Sequence, residues 1–199
     1  MRPGSFSFSR RPDADRVQPR RIPGMKTKPK TILILLGSPR EDGNSTRLAY
    51  AFADAASLRG HIVQSIRVPA LDIAPCDGCG ECWKPASTPC VIRDDMDSVY
   101  PLLRQADAMV LATPLHFFTW SSPLKTLIDR LFCLAPKRRH SLQGIPAILL
   151  ATAADDSPAA FAGLKATYRL TAAYMKWKPV GEVYVPGVAE EGDIARKPR

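Results

Sequence analysis

The sequence predicts an α/β fold: one doubly wound, five-stranded parallel sheet in the order 2-1-3-4-5. Three observations predict it. Short continuous apolar runs, at 32–36 and 108–112, have the length of strands buried on both faces. Helix-length segments alternate with such runs, which requires parallel strands joined by right-handed crossovers. The exits of the first, third and fourth strands, at 37–46, 113–120 and 152–157, are loops of small and polar residues, and ligand sites in these sheets lie beyond the carboxyl ends of the strands.

The first strand runs straight into Gly37-Ser38-Pro39-Arg40-Glu41-Asp42-Gly43-Asn44-Ser45-Thr46. Gly37 and Gly43 permit tight turns and Pro39 removes a backbone donor. Ser38, Asn44, Ser45 and Thr46 offer side-chain donors ahead of a helix over 48–58. A phosphate placed there meets free helix amides, hydroxyls and the positive end of a helix dipole. The loop lacks the Lys of an ATP-type loop, and its glycine spacing is not that of dinucleotide folds. A terminal monophosphate held by backbone and hydroxyls fits it better; an ordinary strand-to-helix turn rich in small polar residues is the alternative.

Gly60 ends the helix, and 61–67 reads as the second strand. A long irregular segment carrying cysteines follows. Asp94 and Asp95 then cap a helix over 96–105, in which Pro101 is awkward. The third strand, 108–112, ends at Thr113-Pro114, and Ser121-Ser122-Pro123 opens a helix carrying Leu124, Leu127, Ile128 and Leu131. The fourth strand covers 146–151. Its exit loop leads into a long helix over 158–177 with Phe161, Leu164, Tyr168 and Tyr174 near one face, and 182–185 is the last strand.

A chain of 199 residues, 45% hydrophobic and 24% charged, can form one well-buried domain. No apolar run reaches the length of a bilayer span, and residues 5–9 give way at once to Arg10-Arg11 rather than to the apolar core of a signal peptide. The expectation is a cytoplasmic protein with no membrane partner. The net charge of +9 invites a nucleic-acid reading, yet residues 1–24 hold six arginines against Asp13 and Asp15, so +4 of it sits there. Residues 1–29 are therefore expected to be a basic, disordered extension, with Met25 as an alternative start, and 30–199 the folded domain. No aromatic platform or nucleic-acid motif lies beyond that arm, so no nucleic-acid partner is expected.

The motifs together resemble the flavodoxin-like NADPH-dependent FMN reductases. They are Gly37-Ser38-Pro39-Arg40 with Asn44-Ser45-Thr46, Asp94-Asp95-Met96, Ala106-Asp107-Ala108, Thr113-Pro114-Leu115-His116-Phe117, and Leu124-Lys125-Thr126-Leu127-Ile128-Asp129-Arg130. The likeness covers about residues 30–195, and the cysteine-bearing insertion at about 74–93 resembles the iron-sulfur flavoprotein branch. It implies FMN held by three loops. Ser38, Arg40, Asn44, Ser45 and Thr46 would take the phosphate. Pro114, Leu115, His116, Phe117 and Phe118 would line the ribityl chain and ring, and Thr152, Ala153 and Asp155 would approach the ring edge. It also implies NAD(P)H as co-substrate and a homo-oligomer. The third-strand loop departs from the family, which usually has Pro-Val-Tyr-Phe where this chain has Pro114-Leu115-His116-Phe117; imidazole can still stack, and a protonated His would favour an anionic reduced flavin. The relatives also continue after the fifth strand into a closing helix, whereas this sequence stops at Arg199. The fifth strand is thus expected to lack that cover.

Cys76, Cys79, Cys82 and Cys90 form C-x2-C-x2-C-x7-C, and cytosolic thiols so grouped point to metal or redox chemistry. Three thiolates at two-residue gaps can wrap one corner of a cubane with a later Cys as fourth ligand, and Gly78 and Gly80 let the backbone curl. The reading is a [4Fe-4S] cluster; structural zinc and free or disulfide-forming thiols stay open. Cys133 reads as a buried thiol.

Hydride transfer between nicotinamide and flavin needs two stacked rings and no general acid or base, so no catalytic side chain is expected. The resemblance implies an FMN-dependent NAD(P)H oxidoreductase passing electrons to a flavin, a quinone or another small acceptor. The competing reading is an iron-sulfur flavoprotein relaying electrons to a protein partner. Asp155 and Asp156 also suit a helix-capping pair.

Overall fold

The computed structural model describes residues 28–84 and 89–197. The basic extension at 1–24 and Met25 lie outside the described residues. Five parallel strands, β1 (Thr31–Leu36), β2 (Ile62–Arg67), β3 (Ala108–Pro114), β4 (Pro146–Thr152) and β5 (Lys178–Val185), form one sheet in the order β2-β1-β3-β4-β5. The crossovers carry α1 (Asn44–Leu58), α2 (Met96–Gln105), α3 (Ser122–Arg130) and α4 (Ala162–Met175).

The continuous apolar runs separate onto two faces because side chains alternate across a strand. Leu33, Leu35, Met109, Leu111, Leu149 and Ala151 pack with residues of α2, α3 and α4, including Leu103, Leu127, Leu164 and Tyr168. Ile32, Ile34, Leu36, Val110, Ala112 and Leu150 pack against Ala49 and Ala56 of α1. No helix follows β5 among the described residues, only a 3-10 turn at Asp193–Arg196, and Val180 and Val183 of β5 are exposed.

Boundaries differ from expectation in three places. The first helix begins at Asn44, four residues before the apolar pattern starts, because the polar Asn44, Ser45 and Thr46 are themselves buried. The expected helix over 158–177 splits into a 3-10 turn, Pro158–Phe161, followed by α4, which stops where Lys176 turns left-handed. β5 starts at Lys178, ahead of the expected 182, with a register shift opposite Ala147/Ile148. α2 runs through Pro101, which lies on its exposed side while Met96, Val99, Tyr100 and Leu103 are buried.

The register brings the strand exits together. Leu36 pairs with Ala112 and Pro114 with Thr152, so the loops after β1, β3 and β4 leave one edge of the sheet. Gly37 N–H donates to Ala112 O (2.8 Å), Leu115 N–H to Thr152 O (2.7 Å) and the Ser121 hydroxyl to Gly37 O (2.7 Å). A Cβ on Gly37 would stand 2.8 Å from both Leu124 Cβ and Ser121 Oγ; the glycine is required by α3 passing close beside it.

Candidate functional site

At this edge a cleft of about 320 Å³ is lined by Ser38, Arg40, Asn44, Ser45, Pro114, Leu115, His116, Thr152 and Ala153, with Pro39, Gly43, Ala154, Val188 and Ala189. The first nine are sequence-predicted site residues from all three loops. Its floor is the first turn of α1. The N–H groups of Asn44, Ser45 and Thr46 have no acceptor among the described residues; the first amide of this turn to find one is that of Arg47, on Gly43 O (3.0 Å). The Ser45 hydroxyl, on a residue only 1% exposed, is also without a partner. Buried polar groups are almost always satisfied in a finished protein, so this cluster of unused donors at a helix N-terminus has the chemistry of an anion site.

The loop ahead of that turn is held by its own side chains. Ser38 Oγ donates to Arg40 O (3.0 Å) and accepts from Arg40 N–H (3.2 Å), and a Cβ on Gly43 would come within 2.5 Å of that oxygen. Arg40 is exposed at the rim. Asn44 is engaged elsewhere: its amide group donates to Val188 O (3.2 Å) and Glu190 O (2.8 Å), and its Oδ1 accepts from Ile194 N–H (3.2 Å). The segment after β5 thereby becomes a wall of the cleft, fixed further by Val188 N–H on Ala153 O (2.8 Å) and Gly187 N–H on Asp155 O (2.9 Å).

Four predicted residues stand apart from the lining. Thr46 is buried in the first turn of α1. Phe117 and Phe118 occupy a left-handed turn, φ +43° and +63°, closed by reciprocal backbone bonds between His116 and Thr119. Phe117 is 98% exposed, so an aromatic ring sits in solvent on a strained turn beside the cleft. Asp155 holds its own loop by accepting from Ser157 N–H (2.7 Å), and Ser157 Oγ caps the following turn through Ala159 N–H (3.2 Å).

A second cavity, about 310 Å³, gathers Cys76, Cys79, Cys82, Cys90 and Cys133, with Gly78, Gly80, Trp83, Asp129 and Arg130 in its wall. All five cysteines of the chain thus contribute to the wall of one cavity, the Cys133 thiol donating to Arg130 O (3.1 Å). Gly78 and Gly80 take positive φ (+73° and +72°), the tight curl the sequence suggests. Burial raises the Cys82 thiol, as do neighbouring Cys90 and Cys79, although Arg138 opposes them. Burial pushes Cys133 up to about 11. Among the described residues no three His, Cys, Asp or Glu side chains converge closely enough to hold a single metal ion. Four cysteines in the pattern C-x2-C-x2-C-x7-C in the wall of one cavity are a donor set whose chemistry suits iron and sulfide or zinc.

The ends of this cysteine loop are clamped by a buried ion pair, Arg130 with Asp94. Burial works to raise the Asp94 carboxyl, but the hydrogen bond from Arg130 and those from the amides of Met96 (3.0 Å) and Ala74 (2.9 Å) hold it below the usual carboxylate range. Sequence reasoning missed this clamp and the wall at 188–189. The acidic Asp94 looked like a plain helix cap, and nothing local in the sequence marks Val188 as a neighbour of Ala153.

Among curated relatives, an iron-sulfur flavoprotein of Archaeoglobus fulgidus is 36% identical over 110 residues, covering 55% of this chain and 48% of the relative. One of Methanosarcina thermophila is 35% identical over 101 residues, covering 51% and 52%. The chain spans about half the length of the curated relatives it matches. Among solved structures, an NAD(P)H:quinone oxidoreductase from Methanothermobacter marburgensis superposes with a TM-score of 0.67 at 17% identity, covering 85% of this chain and 92% of that one. The Trp repressor binding protein of Bacillus subtilis does so with 0.60 at 20%, covering 83% and 90%. These establish the doubly wound, flavodoxin-like fold. Because the family model of the NADPH-dependent FMN reductases matches residues 30–190, nearly the whole folded part with all three cleft loops, the chain belongs to the NADPH-dependent FMN reductase family.

Proposed function

We propose that the chain is an FMN-dependent NAD(P)H oxidoreductase that passes electrons to a flavin, a quinone or another small acceptor. The observation that carries the reading is the unpartnered Ser45 hydroxyl among three unused helix amides at the closed end of the cleft. That donor set fits a terminal phosphate dianion, which neutral donors and a helix dipole can hold without a lysine. FMN, when bound, supplies hydride exchange with a nicotinamide and delivery of electrons to the acceptor. The protein's part is binding, orientation and exclusion of water. Ser45, Thr46 and the amides of 44–46 take the phosphate end. Pro114, Leu115 and His116, side by side with Thr152 and Ala153 at the ends of β3 and β4, line the part of the cleft left for the ring. His116 stands exposed at the rim, in place to donate to an electron-rich ring edge. Arg40 stands at the same rim as counter-charge.

Phe117, almost wholly exposed beside this cleft, supports assembly into a homo-oligomer that covers the cleft mouth, which sedimentation at micromolar concentration tests. No helix among the described residues is long and apolar enough to cross a membrane, and the proposed setting is the cytoplasm.

A second reading is supported by the five thiols around one cavity. In it, Cys76, Cys79, Cys82 and Cys90 hold a [4Fe-4S] cluster, and the chain relays single electrons to a protein partner. Anaerobic purification with counts of FMN, iron and acid-labile sulfide per chain tests both readings. The reductase predicts one FMN per chain, bleached rapidly by NADPH or NADH. The relay predicts a broad brown absorption that resists NADPH and yields to reduced ferredoxin. A colourless chain that takes up no FMN on reconstitution refutes the flavin assignment.

A further inference from the structure

The guanidinium of Arg130 is among the most deeply buried charges of the protein, 2% exposed, and it lines the cysteine cavity. An arginine carries five N–H donors in a fixed fork, and four of them have defined acceptors here. Nη1 donates to Ala74 O (2.8 Å) and to Asp94 Oδ2; Nη2 donates to Ile92 O (3.2 Å) and to Asp94 Oδ1 (3.3 Å). Ala74 lies two residues before Cys76 and Ile92 two residues after Cys90, so the fork fastens both ends of the cysteine loop to the end of α3. Asp94 closes the ring by accepting from Ala74 N–H. The fifth donor, Nε–H, is buried and has no acceptor among the described residues.

We propose that Arg130 is a contact residue of the iron-sulfur site, its spare Nε–H donating to a sulfur of the cluster while its other donors hold the loop that carries the ligands. This rests on the cluster reading above. An arginine that only served as a clamp could leave Nε to solvent; here Nε is buried without a partner, in a residue that lines the cavity of the five cysteines. A sulfur of an anionic cluster is the acceptor chemistry that cavity offers. Hydrogen bonds to cluster sulfurs stabilise the more negative, reduced form and so raise the potential. Asp94 neutralises the net charge of the pair, which leaves this directional bond as Arg130's means of tuning the cluster.

The test uses the full chain, reconstituted anaerobically with iron and sulfide. Arg130→Lys keeps the positive charge but has no Nε–H and cannot bridge Ala74 and Ile92 together. The expected result is an unchanged FMN content and a lower cluster potential, such that the reduced-to-oxidised ratio at the wild-type midpoint falls about tenfold, or about 59 mV for one electron. In the cluster-free chain, the loop cysteines of the variant should be alkylated about tenfold faster. A wild-type measurement covers the case in which the variant does not fold: the Arg130 Nε–H proton resonance shifts and broadens when the cluster is loaded. A sharp, unshifted resonance, or a variant with wild-type potential, overturns the proposal. A wild-type chain that binds FMN but no iron or sulfide overturns the cluster reading itself, and this proposal with it.

Discussion

Replacing Ser45 by alanine should move stability and cofactor affinity in opposite directions. In the flavin-free protein the Ser45 hydroxyl is buried with no partner, and a buried unsatisfied group costs about 1–3 kcal/mol. Ser45→Ala removes that cost. It also gives up the small contacts of one oxygen, so the flavin-free chain should gain about 1 kcal/mol, a rise in Tm of roughly 2–4 °C for a domain of this size. With FMN bound the same hydroxyl meets a charged phosphate, and such a bond contributes about 1.5–3 kcal/mol. The variant should therefore bind FMN about 10- to 150-fold more weakly, since about 1.4 kcal/mol is tenfold. Riboflavin lacks the phosphate and should bind both proteins alike. Quenching of flavin fluorescence gives the affinities, and thermal unfolding of flavin-free protein gives the stability. Equal FMN affinity in the two proteins, or a Tm that falls in the variant, would refute the assignment of Ser45 to the phosphate.

Gly37→Ala places a Cβ 2.8 Å from Leu124 Cβ and Ser121 Oγ, and overpacking of this kind costs about 1–3 kcal/mol; denaturant unfolding should show a lower midpoint with an unchanged slope. Asn44→Ala removes three hydrogen bonds to residues 188–194. Protease should then cut near 188–197 at least several-fold faster, with a parallel loss of FMN affinity, and an unchanged cleavage rate would mean the wall is held without Asn44. Asp94 titrates below its ordinary value when folded, so its stabilisation is complete above the unfolded pKa, about 3.9, and disappears as pH falls through the lower folded value. The stability gap between wild type and Asp94→Asn should be constant from pH 7 to 5 and narrow below about pH 4; a gap that persists to pH 2.5 would show that the carboxylate's charge is not what matters.

The sheet was legible because its signals are local. Runs such as residues 32–36 are too short and too apolar to be anything but covered strands, and period-2 alternation sends Leu33 and Leu35 to one face and Ile32, Ile34 and Leu36 to the other. The loop after β1 was legible as a cleft wall for a similar reason, since Gly37 and Gly43 punctuate a stretch whose hydroxyls have no apolar surface to cover. Local signals also explain the misplaced boundaries. Helix start reasoning weighs apolar periodicity, and at Asn44 that periodicity is absent because the first turn is buried beside the cleft instead of against the core. At Lys176 the pattern continues through Trp177, which is buried, yet the backbone has already turned left-handed.

What the sequence concealed is carried by side chains that bond across long separations. Asn44 reads as a phosphate donor and is in fact tied to residues about 150 positions away. Arg130 stands in the sequence only as the last residue of the 124–130 motif, and in the fold it joins residues 74, 92 and 94. Both are buried polar groups, and burial forces such groups to find every available partner. Their partners are mostly backbone carbonyls, which leave no trace in residue identity. The two cases diverge in one respect that matters for chemistry. Asn44 uses up its side-chain amide in holding a wall, which leaves the Ser45 hydroxyl idle beside it. Arg130 spends four donors on the loop and keeps one. On the proposed readings the unsatisfied atom of each site, Ser45 Oγ or Arg130 Nε, is the one that meets the bound partner. The bonded atoms around it mark what the protein builds in advance to receive that partner.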